Sequence, residues 1–328
     1  MIAFALSFSL FSCGGSPKER IFGSLYFDTV GTFYDYTDSS DEEFGLLADR
    51  VEQTIAEYHK LYDIYNEYDG IANVATINKM AGNGEVKVDQ RIIDLLVYSK
   101  EIYYLTSGKV NVAMGSVLKL WHDYRKDGFG TELPPRELLE EAARHTSIEN
   151  IIIDKENLTV EILDPKTRID VGAVAKGYAV ERIAKMLEEE GKSGYVLDVG
   201  RNLRFIGEKP NGKGWSAGIQ DPLNPYMQTS VYNFEIKNEA LATSGSYERF
   251  YTVGGVNYHH IINPDTLKPE NHYLSVSIKS SSSALSDALS TAIFNMSYET
   301  AEKFVDTLDG VFVVLVMPDG TVETLGEN

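Results

Sequence analysis

The sequence predicts an α+β fold of largely antiparallel sheets with packed helices, and three observations predict it. Apolar residues recur at helical spacing through the first third of the chain, and short β-branched and aromatic runs dominate after Gly191. Most of those runs are joined by short turns such as Asn211-Gly212 and Gly254-Gly255. Parallel neighbours need a crossover of about a dozen residues, so short turns argue against a doubly wound sheet.

The elements follow in order. Leu25 to Tyr36 is aromatic and β-branched and reads as strand, with Gly31 as a candidate bend. From Glu42 to Tyr65 the residues Phe44, Leu47, Val51, Ile55, Tyr58 and Tyr62 form one helical stripe. Asn66 to Asn78 reads as a structured loop with a helical turn near Val74 to Met80. Asp89 caps a helix through Leu105, stopped by Gly108. A less regular helical stretch covers Val112 to Tyr124, another runs from Arg136 to His145, and Ile151 to Asp154 with Leu158 to Leu163 form a hairpin. A helix ending at Gly191 precedes strands at Tyr195 to Val199, Leu203 to Ile206, Trp215 to Ile219, Val231 to Ile236, Tyr251 to Val253 and Val256 to Ile262. A strand at Leu274 to Lys279, helices at Ser283 to Met296 and Tyr298 to Leu308, and a hairpin around Pro318-Asp319-Gly320 complete the chain.

With 328 residues, 43% of them hydrophobic, the chain has ample material for a core. The absence of a long linker after Arg20 and of internal repeats predicts one integrated domain, residues 23–328. A formal charge of −19 argues against a nucleic-acid surface and means that an anionic ligand needs local cations or a metal. The single cysteine, Cys13, excludes an internal disulfide framework. Ile2 to Phe11 is apolar but too short to span a membrane. The LFSC sequence ending at Cys13 resembles a bacterial lipobox, which implies a signal peptide over residues 1–12, a lipidated Cys13 and a linker over 13–22. The folded part would then be anchored outside the cytoplasmic membrane. The basic n-region of such a peptide is missing before Ile2, and a cytoplasmic protein with an apolar N-terminus is the other reading.

Five stretches carry candidate chemistry. Asp170 to Ile183, DVGAVAKGYAVERI, brings a carboxylate, small residues and Lys176 to the start of a helix, where free N–H groups suit a pyrophosphate. Val199-Gly200-Arg201-Asn202-Leu203 places an amide at a strand break, and Ala242 to Tyr247 gathers three hydroxyls around Gly245. His259-His260 ends a strand in an Asn-Pro turn. Asp287 and Thr291, four apart on one helix face, suit a hard cation such as Mg²⁺. Taken singly, each stretch is equally a packed turn, a cap or an exposed helix face. No HxxxH or HExxH spacing supports zinc, and Ser244-Gly245 is not a GxSxG elbow.

Together, in order, these stretches resemble the ApbE family, the Mg²⁺-dependent FAD:protein FMN transferases, whose members include exported lipoproteins. DVGAVAKGYAVERI is similar to the family's D-x-G-[GA]-x-A-K-G-Y-x-[VA]-[DE], and YVLDVGRNLRFIG to its [VL]-N-x-G-G-[ND]-[IVL]-R-x-x-G. ALATSGSYERF resembles A-T-S-G-x-Y, HHIINPDT resembles H-H-I-[IL]-[DN]-P-x-T, and the segment through SDALST resembles the block ending D-A-[LW]-[ST]-T. The resemblance spans Leu25 to Glu323 and implies a single T-fold-related domain.

It further implies that Asp287, Thr291 and the Ala173 carbonyl bind Mg²⁺, with Asp287 catalytic, and that Asp170, Lys176, Ser244 and His260 contact FAD. An aromatic from the early loop stacks on the flavin; Tyr68 aligns best, with Tyr65 and Tyr62 as neighbours. Lys109, Val110 and Asn111 fall where the family's T-D-G-A-F-D-P-T contacts flavin, but the segment here is TSGKVNVA and lacks both acids. Arg201 replaces the second glycine of the G-G pair, and Val30-Gly31-Thr32 stands for an M-G-T. The implied reaction moves FMN from FAD onto a Thr or Ser hydroxyl of an acceptor flavoprotein, releasing AMP. FAD hydrolysis to FMN and AMP, or FAD binding without catalysis, are the competing readings; a structural or adhesion role leaves the phosphate and metal constellation unexplained.

Overall fold

The computed structural model describes residues 17–125, 131–224, 227 and 229–327. Cys13 and the N-terminal leader lie outside them. Eight helices and fifteen strands are described: β1 (Lys18–Tyr26), β2 (Thr29–Asp35), α1 (Asp41–Tyr62), α2 (Val74–Lys79), β3 (Val86–Lys87), α3 (Gln90–Leu105), α4 (Gly115–Arg125), α5 (Arg136–Ala143), β4 (Ile151–Asp154), β5 (Thr159–Ile162), α6 (Ala175–Glu189), β6 (Tyr195–Val199), β7 (Asn202–Ile206), β8 (Trp215–Gln220), β9 (Ser230–Ile236), β10 (Ala240–Gly245), β11 (Phe250–Val253), β12 (Val256–His259), β13 (Ser275–Ser280), α7 (Ser283–Phe294), α8 (Tyr298–Val305), β14 (Phe312–Val316) and β15 (Val322–Leu325).

Eight strands form one sheet in the order β1-β2-β6-β7-β10-β13-β14-β15, every pair antiparallel. The α+β expectation is therefore met. Period-two alternation assigns each central strand two buried faces. Leu197, Val276, Ile278, Val313 and Leu315 face one core with Val51 and Ile55 of α1, Val180 and Ile183 of α6, and Leu289 and Ile293 of α7. Val196, Phe205, Phe312 and Val314 face a second core closed by Trp215 and Phe234 of the β8–β9 hairpin. β3, β5 and β4 form a separate small sheet, and β11–β12 a further hairpin.

Two expectations are corrected. Lys18 to Phe22 is not linker: it pairs with Gly31 to Asp35, and the turn falls at Phe27-Asp28, both left-handed, instead of at Gly31. Gly31 sits inside β2, where a Cβ would lie 2.8 Å from the Phe22 ring. The stretch Ala242 to Tyr247, given no strand in the sequence, begins inside strand β10 (Ala240–Gly245) between β7 and β13. Hydrogen-bonding partners on both sides override the weak strand preference of Ala and Ser.

The sheet, α6 and α7 are tied by a buried ion pair. Arg204 of β7, 1% exposed, donates to Glu188 at 2.6 Å and Glu181 at 3.3 Å, and Glu181 accepts from the Ser283 N–H at 2.7 Å. One carboxylate thus satisfies both the guanidinium of the sheet and a free donor in the first turn of α7.

Candidate active site

α6 and α7 meet at Gly177 and Asp287. A Cβ on Gly177 would lie 2.3 Å from Asp287 Cβ and 2.5 Å from the Ser283 carbonyl, so only glycine permits this approach. The Asp287 carboxylate, in a residue 7% exposed, accepts from Gly177 N–H on Oδ2 at 2.8 Å. Its Oδ1 accepts from Asn202 Nδ2 at 3.0 Å and Lys176 Nζ at 3.2 Å. The Gly177 N–H thus turns to Asp287 and not to the Ala173 carbonyl four residues back, whereas Tyr178 N–H bonds Val174 in the ordinary helical way. Ser244 shares a hydrogen bond with Ser290 at 2.7 Å, and Ser290 donates to the Asp287 carbonyl at 2.8 Å, which docks β10 on α7 beside Thr291. Lys176 and Ser244 are thus brought to Asp287, the latter through Ser290; Thr291 follows Ser290 on α7, and Ala173 stands two residues before α6. Asp287, Thr291 and the Ala173 carbonyl are an all-oxygen set, which fits a hard divalent cation. Among the described residues no three His, Cys, Asp or Glu side chains converge into a metal cage.

The loop before α6 carries the second half of the site. Asp170 N–H donates to the Val112 carbonyl at 2.8 Å, and its Oδ1 takes the Gly172 N–H at 2.9 Å. Protein packed around the Asp170 carboxyl raises its pKa, against the pull of the Gly172 N–H and His122. His122 of α4 shares a 2.8 Å hydrogen bond with the Tyr65 hydroxyl. Burial lowers the His122 pKa, Asp170 opposes this, and Arg125 and Arg249 reinforce it. Although Tyr65 is 63% exposed as a whole, protein packed near its hydroxyl and the Asp170 charge push it up to about 12, so it stays a neutral hydroxyl.

His260 faces the same arginines. Burial, Arg249, His259 and Arg125 push its pKa down to about 3, and its buried Nδ1 has no hydrogen-bond partner. His259 is committed to structure: its ring bonds the Glu270 carbonyl at 2.8 Å and the Ile261 N–H at 3.2 Å, with Phe294 edge-on. Of the pair, His260 is the one with a ring nitrogen to offer a ligand.

Other sequence candidates have structural occupations. Val110 is 1% exposed in the core, and the Asn111 amide bonds the Thr146 carbonyl at 2.9 Å and the Ala113 N–H at 2.9 Å. Lys109 is paired with Asp265 at 2.5 Å, joining two of the sequence blocks. Tyr68 donates to Asp63 at 2.8 Å against α1, whereas Tyr65 is the aromatic beside His122 and Asp170. Tyr65 was named only as a neighbour of Tyr68, and His122, Arg125 and Arg249 carried no recognisable spacing, because α4 and the segment before β11 are far apart in sequence.

Asp198 escaped the sequence reading of the site, and Arg201 entered it only as a departure from the G-G pair. Arg201 takes φ 68°, a left-handed conformation that costs a side chain about 1 kcal/mol. It is held by Glu248 at 2.8 Å and by the Tyr247 hydroxyl at 2.7 Å, with its guanidinium over the Tyr247 ring. Its N–H donates to Asp198 Oδ1 at 3.1 Å. Protein packed around Asp198 raises its pKa from 3.8 to about 6, although the Arg201 N–H, Lys176 and the Arg201 charge all pull it down. The native state thus holds this proton more tightly than the unfolded chain does. Stability from this group is fully present below about pH 4 and is lost as pH rises through about 6. Asp198→Asn, which keeps the acceptor oxygen, is expected to be more stable than the parent by roughly 1–3 kcal/mol at pH 7 and equal to it at pH 3.5. Denaturant unfolding at both pH values checks this, and an equal or weaker variant at pH 7 refutes it.

Fold and site together define an α+β protein whose α6 and α7 bring Lys176, Gly177 and Asn202 onto the Asp287 carboxylate. The sequence profile of the ApbE family matches residues 30–315, and the chain belongs to that family. An FAD:protein FMN transferase of Klebsiella pneumoniae (strain 342) is 28% identical over 272 residues, covering 81% of this chain and 82% of the relative. One of Treponema pallidum (strain Nichols) is 27% identical and covers 95% of this chain and 88% of its own. The crystal structure of the ApbE protein of Thermotoga maritima superposes with a TM-score of 0.81 at 28% identity, over 94% of this chain and 97% of that one. Pseudomonas stutzeri flavinyl transferase ApbE gives 0.79 at 20% identity, over 94% and 95%, a likeness of fold.

Proposed function

We propose that this protein is a Mg²⁺-dependent FAD:protein FMN transferase. The hydroxyl oxygen of an acceptor Thr or Ser attacks the FMN phosphorus, the bond from that phosphorus to the bridging oxygen breaks, and AMP departs with that oxygen; the hydroxyl proton is released. The observation that supports this most is the knot of Asp287, Lys176, Gly177 and Asn202 at the start of α6, beside the Ala173 carbonyl. Asp287, Thr291 and the Ala173 carbonyl would hold Mg²⁺, which supplies charge compensation for the pyrophosphate when bound. Lys176 adds a cation, whereas most first-turn N–H groups of α6 are already taken: Ala175 bonds the Val171 carbonyl at 2.8 Å, Gly177 bonds Asp287 and Tyr178 bonds Val174. Ser244 offers a hydroxyl, and His260, neutral at physiological pH, offers a lone pair on Nδ1. Asp170, held by Gly172 N–H just before α6, and Tyr65 with His122 supply further polar groups.

The same reading places the protein on the outer side of the cytoplasmic membrane through lipid on Cys13. Among the described residues no helix is long and apolar enough to cross a membrane.

The test mixes the protein with FAD, Mg²⁺ and a flavoprotein acceptor carrying an exposed Thr, read by intact mass and by nucleotide chromatography. The expected result is an acceptor heavier by one FMN with an equal amount of AMP. Free FMN and AMP with an unmodified acceptor would assign hydrolysis instead, and intact FAD would leave only binding.

A further inference from the structure

The donors on Asp287 differ in kind. Gly177 N–H belongs to the backbone of α6, and Asn202 is 1% exposed at the start of β7, so both are fixed by the fold. Lys176 is the third donor, on a flexible four-carbon stem. Its side chain is 23% exposed against 9% for that of Asp287, so its head can leave toward solvent without unfolding anything. At 3.2 Å its contact is also longer than a well-made ammonium–carboxylate bond, about 2.7–2.9 Å. Its stem leaves α6 one residue before Gly177. The Asp198 carboxylate also attracts the Lys176 ammonium.

Resting on the cation reading of Asp287 above, we propose that Lys176 is a displaceable counter-ion of Asp287. A divalent cation and the ammonium compete for the same carboxylate oxygen, and the displaced ammonium turns to the anionic oxygens of the nucleotide. Two cations on one carboxylate repel each other, whereas an anion beside them attracts both. Cation and nucleotide therefore bind cooperatively, and by linkage each raises the affinity of the other by the same factor. The buried Asn202 Oδ1, which has no hydrogen-bond partner, supplies a further acceptor in this knot for a hydrated cation.

Removing a substrate-binding cation must then tighten metal binding. Mn²⁺ binding to the full chain, followed by water-proton relaxation with and without ADP, tests it. Lys176→Met is expected to bind Mn²⁺ about tenfold tighter than the parent in the absence of nucleotide, to bind ADP roughly tenfold more weakly, and to lose most of the mutual enhancement. Lys176→Arg, which keeps the charge, should retain the parent's weaker Mn²⁺ affinity and its enhancement by ADP. Mn²⁺ affinity in Lys176→Met equal to or below the parent's overturns the proposal while leaving Asp287 as a ligand. Mn²⁺ binding unchanged in Asp287→Ala overturns the cation reading itself, and this inference with it.

Discussion

Replacing Asp287 by Asn is expected to lower the rate of AMP release from FAD at least about a thousandfold, with a cooperative fold retained. The size follows from what the carboxylate does: it supplies the only formal charge in the proposed cation set, and preorganised charge at a phosphoryl-transfer site accounts for several kcal/mol of barrier. Retention of the fold follows from the hydrogen bonds. The substituted amide keeps an acceptor for the Gly177 N–H, now 2.8 Å from Oδ2. Its NH₂ group faces Asn202 Nδ2 and Lys176 Nζ, which lie 3.0 and 3.2 Å from Oδ1. Losing those two contacts costs about 1–3 kcal/mol, a cost eased because Lys176 can reach solvent. AMP release by chromatography and unfolding by circular dichroism separate the two effects. A variant within tenfold of the parent's rate would remove Asp287 from the proposed chemistry.

Gly177→Ala is expected to be the most damaging single-methyl change at the site. With the added Cβ 2.3 Å from Asp287 Cβ and 2.5 Å from the Ser283 carbonyl, α6 and α7 have to separate. Both helices are pinned from behind by Glu181, which bonds Arg204 and the Ser283 N–H, so the strain cannot relax freely. Overpacking of this kind costs about 2–4 kcal/mol, at or beyond the usual upper range. It also moves Asp287 away from the Gly177 N–H, and loss of transfer beyond the loss of folded protein should follow. Denaturant unfolding and specific activity of the folded fraction check both parts. A variant of parental stability would show that the helices have slack where the distances leave none.

The two substitutions mark where sequence reading succeeds and where it stops. Asp287 and Thr291 were legible because four-residue spacing on a helix fixes a shared face whatever the helix packs on. The helices themselves were legible for the same reason: the Phe44, Val51, Ile55, Tyr58 stripe predicts which side of α1 is buried, and those residues are buried. Gly177 stood inside a recognised block, yet nothing in the sequence says that Asp287 lies against its missing side chain.

Strand β1 was missed because an edge strand carrying Lys18, Glu19 and Arg20 has the composition of a linker until β2 gives it a partner. Strand β10 was missed because Ala-Thr-Ser-Gly has turn composition, and only β7 and β13 on either side make it strand. Asp198, His122, Tyr65 and Arg249 belong to no spacing rule. Their chemistry comes from what the fold packs around them: Asp198 is raised to about 6 by surrounding protein, and burial lowers His122 with Arg125 and Arg249 beside it. By itself the sequence determined the secondary-structure periods, the order of the blocks and, through them, family membership, because these depend on neighbours along the chain. Tertiary structure alone decided which polar groups are desolvated, and which donors on Asp287 are buried and which is partly exposed. Burial and charge proximity are properties of residues brought together from distant parts of the chain.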